Sequence, residues 1–472
     1  MRPLDGVDVH VEGDIGVAAD AARLLSRFGS SVRVSGESST PASVTVSGRG
    51  CAPATARMSG PVVPFPGLPA AAPTRAAAGL LALGALAAAR VGGGVIVDAD
   101  SAALLLVQPL VLAHWWSAPP PGRATPLPVG DGWVAAELGA PGDAELFQLL
   151  LDTGSFADAE ELSAAAQEWR LPVVPYRRAP VPHRPHRPRR TRGEGWPHDG
   201  DSRRSEPPPP GTRAPLAGIE VVDVTAMWAG PLCTWLLVQL GASVLTVESA
   251  ARPDGMRAPH GGGIYPGGRL DPGANDRSAM FTSLAAGKER VDLDLRDADD
   301  REAFALASAQ ADLRVDSLSR RARENLGIVD RSASGGGPAV VHLPAFSRGP
   351  SRDWVAYGTQ IHAMSGLAWP AGSDQPIPAA TAYADGLGGI SAALASVVAL
   401  HSAAQQSRAP ILTASLMDAV DGLPADRDRG ALLRADPAAR VRELAESHEA
   451  RAVELAVAGV VLRHPGSPFL PA

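Results

Sequence analysis

One acidic residue stands where its neighbours suggest chemistry, in the segment TAYADGLGGISAALASVVAL at 381–400. Asp385 lies between an aromatic residue and a glycine cluster, ahead of a predicted helix that carries no other charge. A short acidic side chain there can cap the helix, because it accepts hydrogen bonds from free N–H groups of the first turn. A cap needs no glycines, whereas Gly386, Gly388 and Gly389 leave space for a bulky ligand to approach the backbone. The local pattern leaves both roles open.

Other reactive side chains are few. Lys288 is the only lysine, and two cysteines, Cys51 and Cys233, are too few for a disulfide framework or a thiolate metal site. The sequence contains no GxSxG, HExxH, CxxC or GxxxxGK[ST] motif, and the glycines of ADGLGG do not complete a dinucleotide-binding motif. We therefore expect no metal, no NAD and no permanently bound cofactor.

Composition and charge describe a soluble globular protein. The 472 residues are 45% hydrophobic, enough for two or three domains, and the net charge of -7 argues against a nucleic-acid partner. The N-terminal MRPLDGVDVH lacks the apolar segment of a signal peptide, and the apolar run at 76–89 is too short to span a bilayer. We expect a cytoplasmic protein without a membrane partner.

A linker divides the chain. Residues 177–213 are dense in proline and arginine, which prevents regular backbone hydrogen bonding and favours extended, solvated chain. The expected domains are therefore 1–176 and 214–472, joined by this linker.

The two sides of the linker resemble each other. PLDGVDV at 3–9 matches PLAGIEV at 215–221, and at the same spacing LLSRFGSSVRV at 24–34 matches LLVQLGASVLT at 236–246. Each copy shows the pattern of a strand, a helix and a second strand. This predicts an α/β fold with two copies of the opening βαβ unit of a Rossmann-like parallel sheet.

The first copy is incomplete. Each opening helix is followed by a glycine suited to end it, Gly29 or Gly241. A later match pairs 84–100 with 398–416 at a larger spacing, so the first copy lacks a long internal segment. At the position of Asp385 it has Ala71, and it then continues through a strand and polar-faced helices that suggest an accessory domain.

Five segments between about 214 and 419 together resemble family III CoA-transferases, the carnitine dehydratase and bile-acid-inducible F type. They are PLAGIEVVDVTAMWAGPLCTWLLVQLGASVLTVES, LAAGKERVDLDLRDADDREAF, ADLRVDSLSRRARENLGI, FSRGPSRDWVAYGTQIHAMSGL and ADGLGGISAALASVVAL. The resemblance implies a Rossmann-type large domain, a smaller accessory domain and coenzyme A bound in a cleft. Family members form interlocked dimers, so we expect a homodimer or an intramolecular pseudo-dimer, in which 1–176 is a degenerate copy and 214–472 a C-terminally truncated one.

By this resemblance Asp385 stands at the catalytic aspartate of the family. The carboxylate would attack an acyl-CoA thioester, giving a mixed anhydride and then an aspartyl-CoA thioester, from which a carboxylic acid takes the CoA. The helix N-terminus is expected to keep Asp385 anionic. Coenzyme A would be a substrate, and the partners would be acyl-CoA and free carboxylic acids.

Other site residues also come from the resemblance. Lys288 lies in the family's Gly-Lys-Arg segment near CoA, although a solvated turn residue would fit equally. Arg257 aligns with an arginine that could contact phosphate. Trp228 and Gly230 lie on a loop that the family places at the active site, although a tryptophan is more often part of a core.

Departures from the family keep other functions open. The CoA-contacting Asn-Phe-Arg-Pro-Gly loop is replaced by SLSRR at 317–321, and Asn-Arg ahead of Gly-Lys is replaced by Ala285 and Ala286. A non-catalytic CoA-binding or scaffold protein is therefore one alternative. Acyl-CoA racemisation is another alternative, and it would need a histidine near Tyr357. We also expect Tyr357 to bind substrate. His362 follows slightly later.

Overall fold

The computed structural model describes most of the chain. The described residues are 2–35, 41–119, 125–178, 214–257, 263–268, 278–328, 330, 337–370, 372–405, 409–424, 437–449, 453–457 and 460–471. Residues 179–213 lie outside them, so the nature of the linker stays a prediction.

The first half of the chain begins with the expected βαβ unit. Its elements are β1 (Val7–Glu12), α1 (Ile15–Ser26), β2 (Ser31–Ser35), β3 (Ser43–Gly48), β4 (Ala54–Met58), α2 (Ala71–Ala88), β5 (Gly93–Val97), α3 (Ala99–Trp115), β6 (Leu127–Val129), β7 (Gly132–Ala136), α4 (Asp143–Thr153), α5 (Ala159–Glu168) and β8 (Val173–Pro175). Strands β1 and β2 are parallel, but β3 runs antiparallel to β1. Residues 36–42 are too few for the helical crossover that joins parallel strands.

The second half contains a parallel sheet. Its elements are β9 (Glu220–Val224), α6 (Ala229–Gln239), β10 (Ser243–Glu248), α7 (Ala279–Ala285), β11 (Glu289–Asp292), α8 (Ala298–Gln310), β12 (Leu313–Asp316), α9 (Arg320–Asn325), β13 (Ala339–His342), α10 (Gly358–Met364), α11 (Tyr383–Gln405), β14 (Ile411–Thr413), α12 (Leu416–Val420), α13 (Ala438–Glu449), β15 (Val453–Val457), β16 (Val460–His464) and β17 (Phe469–Pro471). The strand order is β11-β10-β9-β12-β13-β14, with every pair parallel. The order changes direction between β9 and β12, where open α/β sheets bind ligands at the carboxyl ends of the strands. The predicted Rossmann-like core is confirmed.

The sequence repeat corresponds to a repeat of elements. Gly29 and Gly241 follow α1 and α6 with φ of +103° and +99°, a conformation that favours glycine. Helix α2 leads into β5 as α11 leads into β14, and Ala71 is the first residue of α2. Helices α2 and α11 pack on each other, and each also packs on the first helix of its own copy, α1 or α6.

The C-terminal segment corrects the expected boundary of the second domain. Helix α13 packs on α3, and β17 pairs antiparallel with β5, giving the first sheet the order β17-β5-β4-β3-β1-β2. Without β17 the outer edge of β5 would leave its backbone hydrogen-bonding groups unpaired. Helix α13 and strand β17 therefore pack with the first half, although the sequence assigned them to 214–472.

Both halves share one hydrophobic core. It includes residues of α1, α2 and α3 together with residues of α6, α10 and α11. Helices α2 and α11 are long and apolar enough to cross a membrane, but most of each lies inside this core. The small antiparallel sheet β6-β7-β8 packs with α4 and α5 around a separate core, and we call residues 125–178 the accessory unit.

Candidate active site

Asp385 caps a helix, but not its own. It lies in the first turn of α11, which begins at Tyr383, so it is not the N-cap that the sequence suggested. Its Oδ2 accepts a hydrogen bond of 3.2 Å from the N–H of Gly358, the first residue of α10. The residue is half-buried, and among the described residues no cation pairs with its carboxyl group. Asp385 is therefore held in place and is still accessible.

Gly358 is required by this contact. A Cβ atom at this position would overlap Asp385 Oδ2 and lie 2.8 Å from Asp385 Cγ, closer than real Cβ contacts. Any larger residue would push the carboxyl group away. The sequence analysis missed Gly358, although it directly follows Tyr357, a residue already assigned to the site.

A histidine completes a reciprocal arrangement of the two helices. The N–H of Ala384, in the first turn of α11, donates to His362 Nε2 at 3.1 Å, and the His362 ring stacks on Tyr383 with centroids 3.9 Å apart. Burial lowers the pKa of His362 to about 3, so the ring is neutral and Nε2 acts as an acceptor. Helices α10 and α11 thus each cap the other. Because Nε2 is occupied, His362 is poorly placed to act as the base of a racemase.

The accessory unit brings a second carboxyl group to the site. Glu137 follows β7, and its N–H donates to the carbonyl oxygen of Pro172 at 3.1 Å. Its Oε2 accepts a hydrogen bond from Thr359 Oγ1. Since Thr359 follows Gly358, Glu137 and Asp385 are bound to consecutive residues of α10. Nothing local in the sequence distinguishes Glu137 from other acidic residues of the first half, and the sequence analysis missed it.

Burial and charge make Asp385 reluctant to ionise. Burial, followed by the negative charge of Glu137, raises the pKa of Asp385 to about 8, against the opposing effect of the hydrogen bond from Gly358. This corrects the expectation that the helix N-terminus keeps Asp385 anionic. Desolvation and like charge outweigh the backbone contribution.

Tyr357 lies close enough to both carboxyl groups for their charges to act on its phenol, and its role in binding substrate stays a prediction. Burial, and next the charge of Glu137, raise its pKa, and the positive charge of Arg252 opposes them. Its N–H donates to Gln360 Oε1 at 2.8 Å. The phenol is therefore un-ionised at neutral pH.

The three glycines after Asp385 serve helix packing, which corrects their assignment to ligand binding. A Cβ at Gly386 would lie 2.7 Å from the carbonyl oxygen of Leu105 on α3, and one at Gly388 would overlap Leu416 of α12. A Cβ at Gly389 would lie 2.7 Å from the first carbonyl oxygen of α6. All three glycines are buried against protein, so they provide no space for CoA.

Lys288 is a buried structural cation. Its Nζ donates to Asp223 Oδ2 at 3.2 Å, to Thr234 Oγ1 at 2.7 Å and to the carbonyl oxygen of Pro231 at 2.9 Å. Its side chain is 3% exposed. Lys288 therefore connects β9 to the start of α6. This corrects the expectation that it contacts a CoA phosphate, and also the alternative that it is a solvated turn residue.

The remaining predicted residues are engaged within the protein. Arg257 forms a two-pronged ion pair with Glu248, at 2.8 and 2.7 Å, and lies over the ring of Phe281, so its guanidinium is not directed at a ligand. Trp228 is 2% exposed within the core. A Cβ at Gly230 would overlap Thr225, which indicates a packing role. The expected ligand roles of Arg257, Trp228 and Gly230 are therefore corrected to structural ones.

Neither cysteine competes with Asp385 as a nucleophile. Burial raises the pKa of Cys51 to about 11 and that of Cys233 to about 12, so both are thiols at neutral pH. In the described part of the chain, no group of three or more His, Cys, Asp or Glu residues is placed to hold a metal ion.

The segment SLSRR at 317–321 follows β12, at the carboxyl end of a strand beside the change in strand order. Ser319 caps α9 by accepting from the N–H of Ala322, and Arg320 pairs with Asp353. Arg170, from the accessory unit, donates to the carbonyl oxygen of Asp353, and its pKa is lowered by burial and by the nearby charge of Arg321. Several arginines, one of them from the first half, therefore gather beside this loop.

Comparison with known proteins identifies the second half. Residues 216–424 match the family model described as CoA-transferase family III. An acetyl-CoA:oxalate CoA-transferase of Acetobacter aceti is 24% identical over 45% of this chain and 54% of its own. The succinyl-CoA–L-malate CoA-transferase beta subunit of Chloroflexus aurantiacus is 28% identical over 44% and 51%. A formyl-CoA:oxalate CoA-transferase of Bradyrhizobium sp. is 27% identical over 43% and 47%.

Solved structures give a weaker match. A CAIB/BAIF family protein from Brucella suis is 24% identical, with a TM-score of 0.39, over 45% of this chain and 56% of that one. A hypothetical protein from Mycobacterium tuberculosis is 23% identical, also with a TM-score of 0.39, over 45% and 57%. The chain thus spans about half the length of the curated relatives it matches. The resemblance to family III CoA-transferases is confirmed for the second half.

Proposed function

We propose that the chain transfers coenzyme A from an acyl-CoA to a carboxylic acid, with Asp385 as the nucleophile, since residues 216–424 match the family model of CoA-transferase family III. The observation that carries the proposal is the setting of Asp385. Its carboxyl group is accessible, is held by the N–H of Gly358 and has no cation partner among the described residues. A carboxylate bound in an ion pair would be a weaker nucleophile.

The proposed reaction balances without an external oxidant or acid. A carboxylate oxygen of Asp385 attacks the thioester carbonyl, the C–S bond breaks, and CoA leaves as the thiolate. The thiolate then attacks the aspartyl carbonyl of the mixed anhydride, releasing the donor acid and leaving an aspartyl-CoA thioester. The acceptor carboxylate attacks the aspartyl carbonyl and expels the CoA thiolate, which gives a second mixed anhydride. The thiolate then attacks the acceptor carbonyl of this anhydride, which forms the new acyl-CoA and releases the Asp385 carboxylate.

The raised pKa of Asp385 gives the reaction a pH dependence. In the empty site Asp385 is largely protonated at pH 7, since its pKa is about 8. Only the ionised form attacks, so formation of the first covalent intermediate is expected to accelerate as the pH rises through about 8.

Contacts to CoA are proposed for a different set of residues from those predicted. Arg321 is exposed beside Arg170 at the loop that follows β12, where an anionic ligand of an open α/β sheet would lie. We assign the phosphates of CoA to this arginine group, since Lys288 and Arg257 are already paired. We further propose a cytoplasmic protein without nucleic-acid partners, in which the two halves form an intramolecular pseudo-dimer.

A non-catalytic CoA-binding scaffold is the second candidate. It is favoured by the replacement of the family's CoA-contacting loop with SLSRR at 317–321. A scaffold would bind acyl-CoA but would form no covalent adduct.

Covalent trapping separates the two candidates. The protein is incubated with short and medium acyl-CoAs, the intermediate is trapped with hydroxylamine, and the modified peptide is located by mass spectrometry. We expect modification at Asp385, its loss in Asp385→Asn, and its retention in Asp152→Asn, a control carboxylate that lies exposed on α4. Binding of CoA without any adduct in the wild type would support the scaffold and refute the transferase.

A further inference from the structure

We propose that Glu137, carried by the degenerate first half, is a positioning residue that makes the Asp385 carboxylate a stronger nucleophile toward the thioester. This inference deepens the proposed function and rests on it. The first half would then be part of the active site rather than an inactive remnant.

Contacts between the halves fix the place of Glu137. The side chain of Gln167 donates to the carbonyl oxygen of Val355 at 2.8 Å and accepts from its N–H at 2.7 Å. Gln360, fully buried on α10, donates to the carbonyl oxygen of Pro172 beside β8. The accessory unit is therefore attached to the segment that carries the nucleophile's hydrogen-bond donor, before any ligand binds.

A further pair of contacts extends this attachment. Arg170 Nη1 donates to the carbonyl oxygen of Asp353 at 2.7 Å, and the N–H of Arg177 donates to the carbonyl oxygen of Ala363 at 3.0 Å. These bonds lie at both ends of the segment 353–363. Because the segment is held at several points, the side chain of Glu137 cannot move away from α10 without breaking contacts between the halves.

Burial raises the pKa of Glu137, and the hydrogen bond from Thr359 opposes this effect. Thr359 Oγ1 donates its hydrogen to Glu137, which favours the ionised carboxylate, and Asp385 accepts from the adjacent Gly358. Two carboxylates held in one partly desolvated site share a single negative charge at neutral pH. We place the shared proton on Asp385, because the charge of Glu137 is one of the causes that raise the pKa of Asp385. When Asp385 does ionise, it carries a charge that the neighbouring anion makes unfavourable.

Such a destabilised carboxylate is more reactive. Basicity and nucleophilicity rise together within one class of nucleophile, so the carboxylate of a weak acid attacks a carbonyl faster than that of a strong acid. Bond formation with the thioester carbon also removes the negative charge from Asp385 and relieves its repulsion by Glu137. No proton has to move in this step.

Other titratable groups also lie near the pair. Glu137 is close enough to raise the pKa of Tyr176 as well as that of Tyr357, and both phenols are neutral. Arg252 and Asp143 act on Tyr357 with opposite signs. His362, on α10, is neutral. Glu137 is therefore the charged group whose removal should change Asp385 most.

The test measures the ionisation of Asp385 directly. The full-length protein is labelled with 13C at the aspartate side-chain carboxyl carbons, the Asp385 signal is assigned by its absence in Asp385→Asn, and its midpoint is followed by NMR from pH 4 to 10. In Glu137→Gln we expect the midpoint to fall from about 8 by roughly one to two pH units. Glu160→Gln, which removes an accessory-unit carboxylate paired with Arg177, should leave it unchanged.

A second variant, Thr359→Val, tests the same inference if Glu137→Gln does not fold. Thr359→Val removes the hydrogen bond that favours ionised Glu137, so the proton shifts toward Glu137 and the midpoint of Asp385 should fall by a smaller amount. A midpoint within about 0.3 of the wild-type value in both folded variants would overturn the inference.

Adduct formation provides the kinetic test. In Glu137→Gln the rate should reach its plateau at lower pH, and the plateau should be about tenfold lower because the ionised Asp385 is less basic. An unchanged pH profile with normal adduct formation would overturn the inference while leaving the transferase intact. If the wild type forms no adduct, the proposed function and the nucleophile role fail together, and the NMR titration still decides whether Glu137 controls the ionisation of Asp385.

Discussion

Replacing Asp385 with asparagine should stabilise the protein in a pH-dependent way, whatever its activity. Asparagine keeps an oxygen that accepts the hydrogen bond from Gly358 and removes the ionisable group. The comparison therefore isolates the free energy of ionising Asp385 inside the fold.

The magnitude follows from the two pKa values of this carboxyl group. In the folded protein the pKa is about 8, against about 3.9 for an unfolded aspartate, and each unit is worth about 1.4 kcal/mol. The full difference is roughly 6 kcal/mol, and because Asp385 is only half-buried, water reduces it to about 2 to 3 kcal/mol. Between pH 4 and pH 8 the folded state binds more protons than the unfolded state, so the stability contributed by protonated Asp385 is complete below about pH 4 and is lost as the pH rises to 8.

Urea unfolding of both proteins at a series of pH values measures this effect. Groups other than Asp385 titrate in both proteins and largely cancel. We expect Asp385→Asn and wild type to have similar free energies of unfolding at pH 4, and the variant to be more stable by about 2 to 3 kcal/mol at pH 8. Asp152→Asn, an exposed control, should show no such trend. Parallel stability curves for Asp385→Asn and wild type would refute the raised pKa.

Two further outcomes concern the connections within the fold. Lys288→Met should lower the free energy of unfolding by about 3 to 5 kcal/mol, because the buried Asp223 loses its cation. The double variant with Asp223→Asn should recover most of this loss. If Lys288→Met has normal stability but has lost CoA binding in equilibrium dialysis, the structural role of Lys288 is contradicted. After proteolytic cleavage within residues 179–212, the two fragments should elute together in size-exclusion chromatography, because they share one core and β17 pairs with β5. Elution of the fragments as two separate folded monomers would contradict this.

Local patterns allowed the parallel core to be predicted. Alternating apolar residues and the helix-ending Gly29 and Gly241 specify each βαβ unit through interactions within about forty residues of chain. The antiparallel direction of β3 was missed because it follows from the shortness of 36–42 rather than from any residue type. The pairing of β17 with β5 was missed because strands so far apart in sequence carry no mark of their partner.

The catalytic role of Asp385 stays a prediction, and most of the residues that the fold brings around it were not predicted from the sequence. The glycines of ADGLGG were interpreted as space for a ligand, but a glycine pattern is the same whether a ligand or a helix comes close. Lys288 and Arg257 have residue types suited to phosphate, yet their carboxylate partners Asp223 and Glu248 are brought to them only by the fold.

The pattern of loss in the first copy supports a single shared site. The first copy has Ala71 at the position that corresponds to Asp385, and it lacks the segment that forms α7 to α10 in the second copy. What it retains lies against the remaining site: α3 presents Leu105 to Gly386, and the accessory unit holds Glu137 beside Asp385 through Thr359. If Asp385 is the nucleophile of the proposed transferase, this combination of a missing segment and retained contacts is the pattern expected when a two-site dimer becomes one chain with one site.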